Sequence, residues 1–307
     1  MTRLLVFARR FGPYRAFADA LSRHPSLRYL LVAILPVLWI VVADIAPLVR
    51  MVLISFYDRY PLPPGQAPAF TLAQYQAFFD RPLYLTAFAR TFTFGALATA
   101  LTLIVIFPVA YYISKVAPRH KRLRLLLLAI APFWISEIIR SFAWILMLAN
   151  RGAVNSFLAW AGLTSRPIEL LYNNISLTIG VLYLTSLYML LPLYAALEKI
   201  DDRLIEAASD LGASRMTVLR RIIMPLSREG IVTGCVLVFL LVTGLYALPQ
   251  LLGGPSNTLF ASIVGQVFSR AGDSWPLGSA FSVILIGASL SVVAVFLALF
   301  QSRRSRA

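Results

Sequence analysis

The sequence predicts an all-α integral membrane protein with six transmembrane helices, and three observations carry that prediction. Of the 307 residues, 59% are hydrophobic and only 13% are charged, whereas soluble domains carry about 25%. A soluble fold, however large its core, still needs a polar surface. Six runs are apolar for long enough to cross the hydrocarbon core, which takes about 20 helical residues. The runs are continuous rather than alternating, which argues against a transmembrane β-barrel.

The elements follow in chain order. Residues 1–28 carry six arginines ahead of an apolar run too long for a cleaved signal. They are expected to form a cytoplasmic tail, with TRLLVFARRFGPYRAF either lying on the membrane surface or disordered. The first span covers about 29–55 and contains Asp44 and Arg50, the latter placed to snorkel outward. PLPPGQAPAF reads as a loop and TLAQYQAFFD as a short helix. The second span is uncharged from 91 to 114. The third, 125–148, contains Pro132, Glu137 and Arg140, and the fourth lies within 170–197. The fifth starts near Ile231 and the sixth covers about 277–300. Between the last two, ALPQLLGGPSNT is punctuated by Pro249, Gly253, Gly254 and Pro255. It leaves 259–269 as a short helix on or near the outer face. The six-helix domain is thus expected over 29–301, with a polar loop at 198–229 and a second tail at 302–307.

Charge sets the orientation. The formal net charge is +15, but the basic residues sit in short segments between apolar runs, a topology signal rather than a nucleic-acid face. The N-terminal tail, 115–124, 198–229 and the C-terminal tail hold twenty Lys and Arg, while the opposite loops hold six. Both termini are therefore expected in the cytoplasm.

Catalytic chemistry is missing from the sequence. No Gly-Lys dipeptide exists to build a Walker A loop, and His24 and His120 lack metal-ligand spacing. Cys235 lies alone in an apolar run and reads as a packing residue.

One segment departs from the pattern. EAASDLGASRMTVLRRIIMP, residues 206–225, carries five charges in a chain otherwise fit for lipid. Asp202 is placed to cap a helix bearing Glu206 and Asp210, with Leu204, Ala208 and Leu211 on another face. Gly212 ends that helix, Ser214 caps the next, and Leu219, Ile222, Ile223 and Leu226 line one side of it. Pro225 closes the unit. A short helix, a glycine turn and a return helix leading into span five suit a docking element, although a hairpin resting on the membrane surface has the same pattern.

The stretch resembles the EAA loop of ABC-importer permeases, E-A-A, three residues, G, nine residues, I-x-L-P. Glu206, Ala207, Ala208, Gly212, Ile222 and Pro225 match, and Met224 stands in the leucine position. IIRSFAWILMLANRGAVNSFL (138–158), LPQLLGGPSNTLFASIVGQVF (248–268) and DSWPLGSAFSVIL (273–285) are similar to permeases of the spermidine/putrescine type. GLYALPQ (244–250) departs from many of these in lacking an acidic residue before the L-L-G-G run.

The resemblance implies a type I ABC importer permease-like fold in a bacterial inner membrane. It gives Glu206, Ala207, Ala208, Asp210, Gly212, Ile222 and Pro225 a role in coupling to a separate ATP-binding subunit dimer. ATP and Mg would be bound there, with no cofactor in this chain. A second homologous permease and a periplasmic or extracellular substrate-binding protein complete the implied assembly, and polyamines or a related small amine are the implied cargo.

Ionisable residues within spans are costly and default to functional candidates. Asp44, Glu137 and Arg140 qualify, although Glu137 and Arg140, three apart on one helix, also suit a local ion pair. Trp144 and Tyr188 could stack on an amine, or serve only in packing. The rival to a permease is a self-contained ion-coupled carrier or channel, which would use Asp44 and Glu137 but leaves the charged loop without a purpose.

Overall fold

The computed structural model describes residues 33–302 apart from 35, 64, 255–256 and 271–273. The N-terminal tail with its amphipathic segment, the start of the first span, Pro255 and residues 303–307 lie outside the described residues. Among the described residues, four helices are long and apolar enough to cross a membrane singly, and two bent pairs bring the crossings to six if each pair is one span.

The first crossing is α1 (Pro36–Ile54). It packs on the last helix and leaves Trp39, Val42 and Leu48 exposed, an apolar face suited to lipid. After the short α2 (Ala73–Asp80), α3 runs unbroken from Pro82 to Val116, 35 residues and about 52 Å at 1.5 Å per residue. It begins nine residues before the start read from the sequence. Pro82 at the first helical position suits a helix start, and Arg90, read as part of an outer loop, lies inside the helix.

The expected third span, 125–148, is broken. Helix α4 (Arg119–Trp134) meets α5 (Glu137–Leu148) and the following α6 (Ala153–Trp160) at 89°. The last turn of α4 tightens into a 3-10 helix over Ala131–Trp134, where Pro132 offers no N–H, and Ile135 and Ser136 are extended. Next comes α7 (Asn174–Glu198), opened by a capping box. Asn173 Oδ1 accepts from the Ile175 and Ser176 amides, and Ser176 Oγ accepts from the Asn173 amide.

The polar loop forms α8 (Asp202–Asp210) and α9 (Arg215–Leu226). Helix α10 (Arg228–Thr243) leaves α9 at 68°. After a π-turn at Pro249–Gly253 come α11 (Phe260–Ser269) and α12 (Trp275–Ser302). Helix α11, expected on or near the outer face, packs against α12 and α3. Phe260, Ala261, Ser262, Ile263, Val264 and Val267 are buried, and the Phe260 amide donates to Thr91 Oγ1 at 2.7 Å.

The core is the three-helix contact of α3, α7 and α10, filled by Leu177, Val181, Met189, Leu193, Val238 and Val242. Helices α7 and α10 touch closely because Gly230 and Gly234 are one turn apart on α10. A Cβ at Gly230 would lie 2.5 Å from the Pro192 carbonyl oxygen, and one at Gly234 would lie 2.7 Å from Met189 Sδ. A second cluster of Phe78, Tyr84, Phe260 and Phe281 joins α2, α11 and α12 to the start of α3 through edge-to-face and tilted ring contacts.

Candidate functional site: the coupling loop and the broken span

Asp201, not Asp202, caps α8, its carboxylate accepting from the Arg203 amide at 3.0 Å. The cap shifts by one residue because Asp202 is drawn elsewhere. Ile205 and Ala208 pack toward the core, while Glu206, Ala207 and Asp210 are exposed. Leu204 and Leu211, expected on one face with Ala208, do not share its packing: both are exposed, Leu211 by 89%. The outward surface of α8 therefore offers apolar side chains beside two carboxylates.

Gly212 takes φ +80°, the left-handed region that favours glycine. Its amide donates to the Ser209 carbonyl at 2.9 Å, and the Ala213 amide donates to that of Ala208 at 3.0 Å. These two bonds make a Schellman turn, which satisfies carbonyls orphaned at the helix end. Ser214 Oγ then accepts from the Thr217 amide at 3.3 Å and starts α9. Val218 and Ile223 are buried, and Leu219 and Ile222 pack beside them. Leu226, expected on that face, is exposed. Pro225 falls in the last turn of α9, just before the bend into α10.

A cluster absent from the sequence reading anchors the loop. Lys115, at the end of α3 and only 3% exposed, donates to Asp202 Oδ1 at 2.7 Å and to the Ile200 carbonyl. Arg119 and Arg122 of α4 approach Asp202 Oδ2 at 3.4 and 3.8 Å. The hydrogen bond from Lys115 is the main cause that holds the Asp202 carboxyl below its ordinary range, with Arg119 and Arg122 adding to it against the cost of burial. Asp202 thus ties the start of α8 to α3 and α4. The basic run over 115–124 was legible only as a topology signal, because one carboxylate 80 residues away gives it its partner.

The candidates for the substrate path are not gathered in one place. Asp44 is exposed on α1. Tyr188 of α7 is 43% exposed and joins no ring contact among the described residues. Glu137 and Arg140 form no ion pair, contrary to the local pairing expected. Glu137 is the first residue of α5, where the helix dipole favours a carboxylate, and the Arg140 guanidinium turns to two rings instead. Its carbon lies 4.8 Å from the centroid of Phe133 and 5.7 Å from that of Tyr183. Those rings stack at 5.8 Å, and Trp144 meets Tyr183 edge-on at 5.6 Å. Phe133 and Tyr183 were missed. Tyr183 stands five residues before Tyr188, so on a helix the two point in different directions.

At the opposite end of the bundle, Arg90 donates to Asn174 Oδ1 at 2.8 Å and to Asn257 Oδ1, joining α3 to the start of α7 and to the loop before α11. Among the described residues no His, Cys, Asp or Glu group could hold a metal ion.

Comparison with known proteins follows the same outline. The chain is 37% identical over 237 residues to the spermidine/putrescine transport system permease protein PotB of Salmonella typhimurium (strain SL1344), covering 77% of this chain and 80% of the relative. It is 29% identical over 276 residues to the inner membrane ABC transporter permease protein YdcU of Escherichia coli (strain K12), covering 86% and 87%. In fold it is similar to a chain of a bacterial alginate ABC transporter solved in complex with an alginate pentasaccharide-bound periplasmic protein. The TM-score is 0.70 at 18% sequence identity, over 93% of this chain and 96% of that one. The sequence profile of the binding-protein-dependent transport system inner membrane component family matches residues 26–307. With apolar crossings, a type I permease fold and an EAA loop built as an exposed helix on a glycine turn, the chain belongs to that family of multi-pass inner membrane permeases.

Proposed function

We propose that this permease serves an ATP-driven importer of polyamines, of the spermidine/putrescine class, and that it couples to a separate ATPase through α8. The observation that carries the reading is the 37% identity to spermidine/putrescine permeases across most of the chain. The geometry of α8 supports the coupling half. Glu206 and Asp210 face outward beside exposed Leu204 and Leu211, while the inner face is seated on the core. ATP binding would close a dimer of ATP-binding subunits and displace α8, and α9 would pass that displacement through the Schellman turn to α10. Asp202 would pass it to α3 and α4. In this reading the loop and both termini face the cytoplasm, as the twenty-to-six distribution of Lys and Arg indicates. A second permease completes the path, and a binding protein delivers the cargo from outside.

The test is uptake by vesicles carrying the chain with its second permease, ATPase and binding protein, offered labelled putrescine, spermidine and an amino acid. Amine uptake that requires ATP is expected. Uptake of the amino acid with neither amine would contradict the cargo assignment.

A further inference from the structure

Arg140 sits just past the break between α4 and α5 in an unusual state. Its guanidinium faces the rings of Phe133 and Tyr183, and Trp144 packs against Tyr183. Its Nε and Nη1 atoms are buried with no hydrogen-bond partner among the described residues. Orphaned buried donors are disfavoured, so ring faces alone hold this cation and hold it weakly. Glu137, three residues back, is exposed and unpaired with Arg140, although that spacing brings two side chains within reach on a helix.

Position adds weight. Tyr183 is the tenth residue of a 25-residue helix, roughly 14 Å from its start along a rise of 1.5 Å per residue. It thus falls in the middle part of a helix long enough to cross a hydrocarbon core about 30 Å thick. Broken spans at such depth build binding sites in membrane transporters.

We infer that Phe133, Tyr183 and Trp144 form an aromatic cage for an alkylammonium group, filled by Arg140 when no cargo is present. When an ammonium group of the cargo arrives, Arg140 leaves the rings and pairs with Glu137. The exchange is balanced in charge. One cation replaces another on the rings, and the displaced guanidinium finds a carboxylate at i−3 rather than remaining bare in the membrane. Arg140 is therefore a resident competitor that sets how tightly the cage takes an amine. The inference rests on the amine-import reading above and adds to it the group that recognises the cargo within the membrane.

Equilibrium binding of labelled putrescine to the purified complex of permease subunits and ATPase, without binding protein, tests it, with vesicle uptake measured alongside. Arg140→Met empties the cage of its resident cation, and the apparent Kd is expected to fall about threefold to tenfold. Damage to the fold would not produce such a gain. Tyr183→Leu is expected to weaken binding by about tenfold, and Tyr183→Phe, which keeps the ring, to stay within about twofold of wild type. Binding that is unchanged or weaker in Arg140→Met, or unchanged in Tyr183→Leu, overturns the cage. If the wild-type importer also takes up putrescine, the cage alone fails. If it takes up no amine, the amine reading fails and the cage with it.

Discussion

At Asp202 one carboxylate faces Lys115, Arg119 and Arg122, and the consequences for pH can be given a sign. A carboxyl held below its ordinary value stabilises the fold at any pH above the ordinary carboxylate pKa of about 4. That contribution is lost as pH falls through the depressed value. Hydrogen exchange of the α8 amides, corrected for intrinsic rate, should therefore stay constant between pH 8 and 5 and rise only below about pH 4. Asp202→Asn should raise α8 exchange at pH 7 to an extent worth about 1–2 kcal/mol, since it leaves the buried Lys115 without its counter-charge. Unchanged exchange in that variant would show that the cluster does not anchor the helix. Gly212 makes a second prediction at this scale. A Cβ there meets nothing within 4 Å, so the cost of substitution is the positive φ alone, about 1–2 kcal/mol for most side chains and less for Asn. Gly212→Val should weaken coupled ATP hydrolysis more than Gly212→Asn, with equal membrane insertion in both. Glu206→Lys, on an exposed position, should abolish coupling without lowering Tm, and a fall in Tm with coupling intact would count against docking through this face.

The elements were legible in proportion to how local their causes are. Hydropathy located the single-helix crossings α1, α7 and α12, because the hydrocarbon core imposes their length one helix at a time. It misjudged the start of α3, whose early turns include polar Arg90, bonded to α7 and to the loop before α11, and Thr91, which accepts from the first amide of α11. The break after α4 has a local trace in Pro132, but 125–148 reads in the sequence as one continuous span, since a neighbouring helix must supply the packing that makes a bend worthwhile. The burial of α11 had no local signal because part of it comes from Phe78, far away in sequence, beside Phe281 on the next helix. The close approach of α7 and α10 left a readable trace in GIVTG, two glycines four apart. Gly230→Ala and Gly234→Leu force atoms into Pro192, Ala196 and Met189 and should each lower stability by about 1–3 kcal/mol, measured as a drop in Tm in detergent. An unchanged Tm in both would show that the two helices are not in the contact described.

For the molecule as a whole, the polar loop over 198–229 was legible and the group around Arg140 was not. Residues 206–225 form a contiguous motif whose helix, turn and return helix follow from local chemistry, so the sequence alone shows their order. Arg140 was singled out as an intramembrane charge, but its partners Phe133 and Tyr183 come from two other helices and no spacing connects them. Asp202 was assigned a local role as a cap for the same reason. The two groups stand at opposite ends of α4: its first residues hold Asp202, and its last turn contributes Phe133. The ion pairs of Asp202 with Arg119 and Arg122 therefore connect α8 to the broken span through α4, beside the connection of α8 through α9 to α10. The central claim, that transport here is driven through α8 by a separate ATPase, is tested most directly by reconstituting the permease pair with and without the ATP-binding subunits and measuring cargo uptake. Uptake that needs the ATP-binding subunits and ATP, and that Glu206→Lys abolishes, is the predicted result. Uptake driven by an ion gradient in their absence would contradict it.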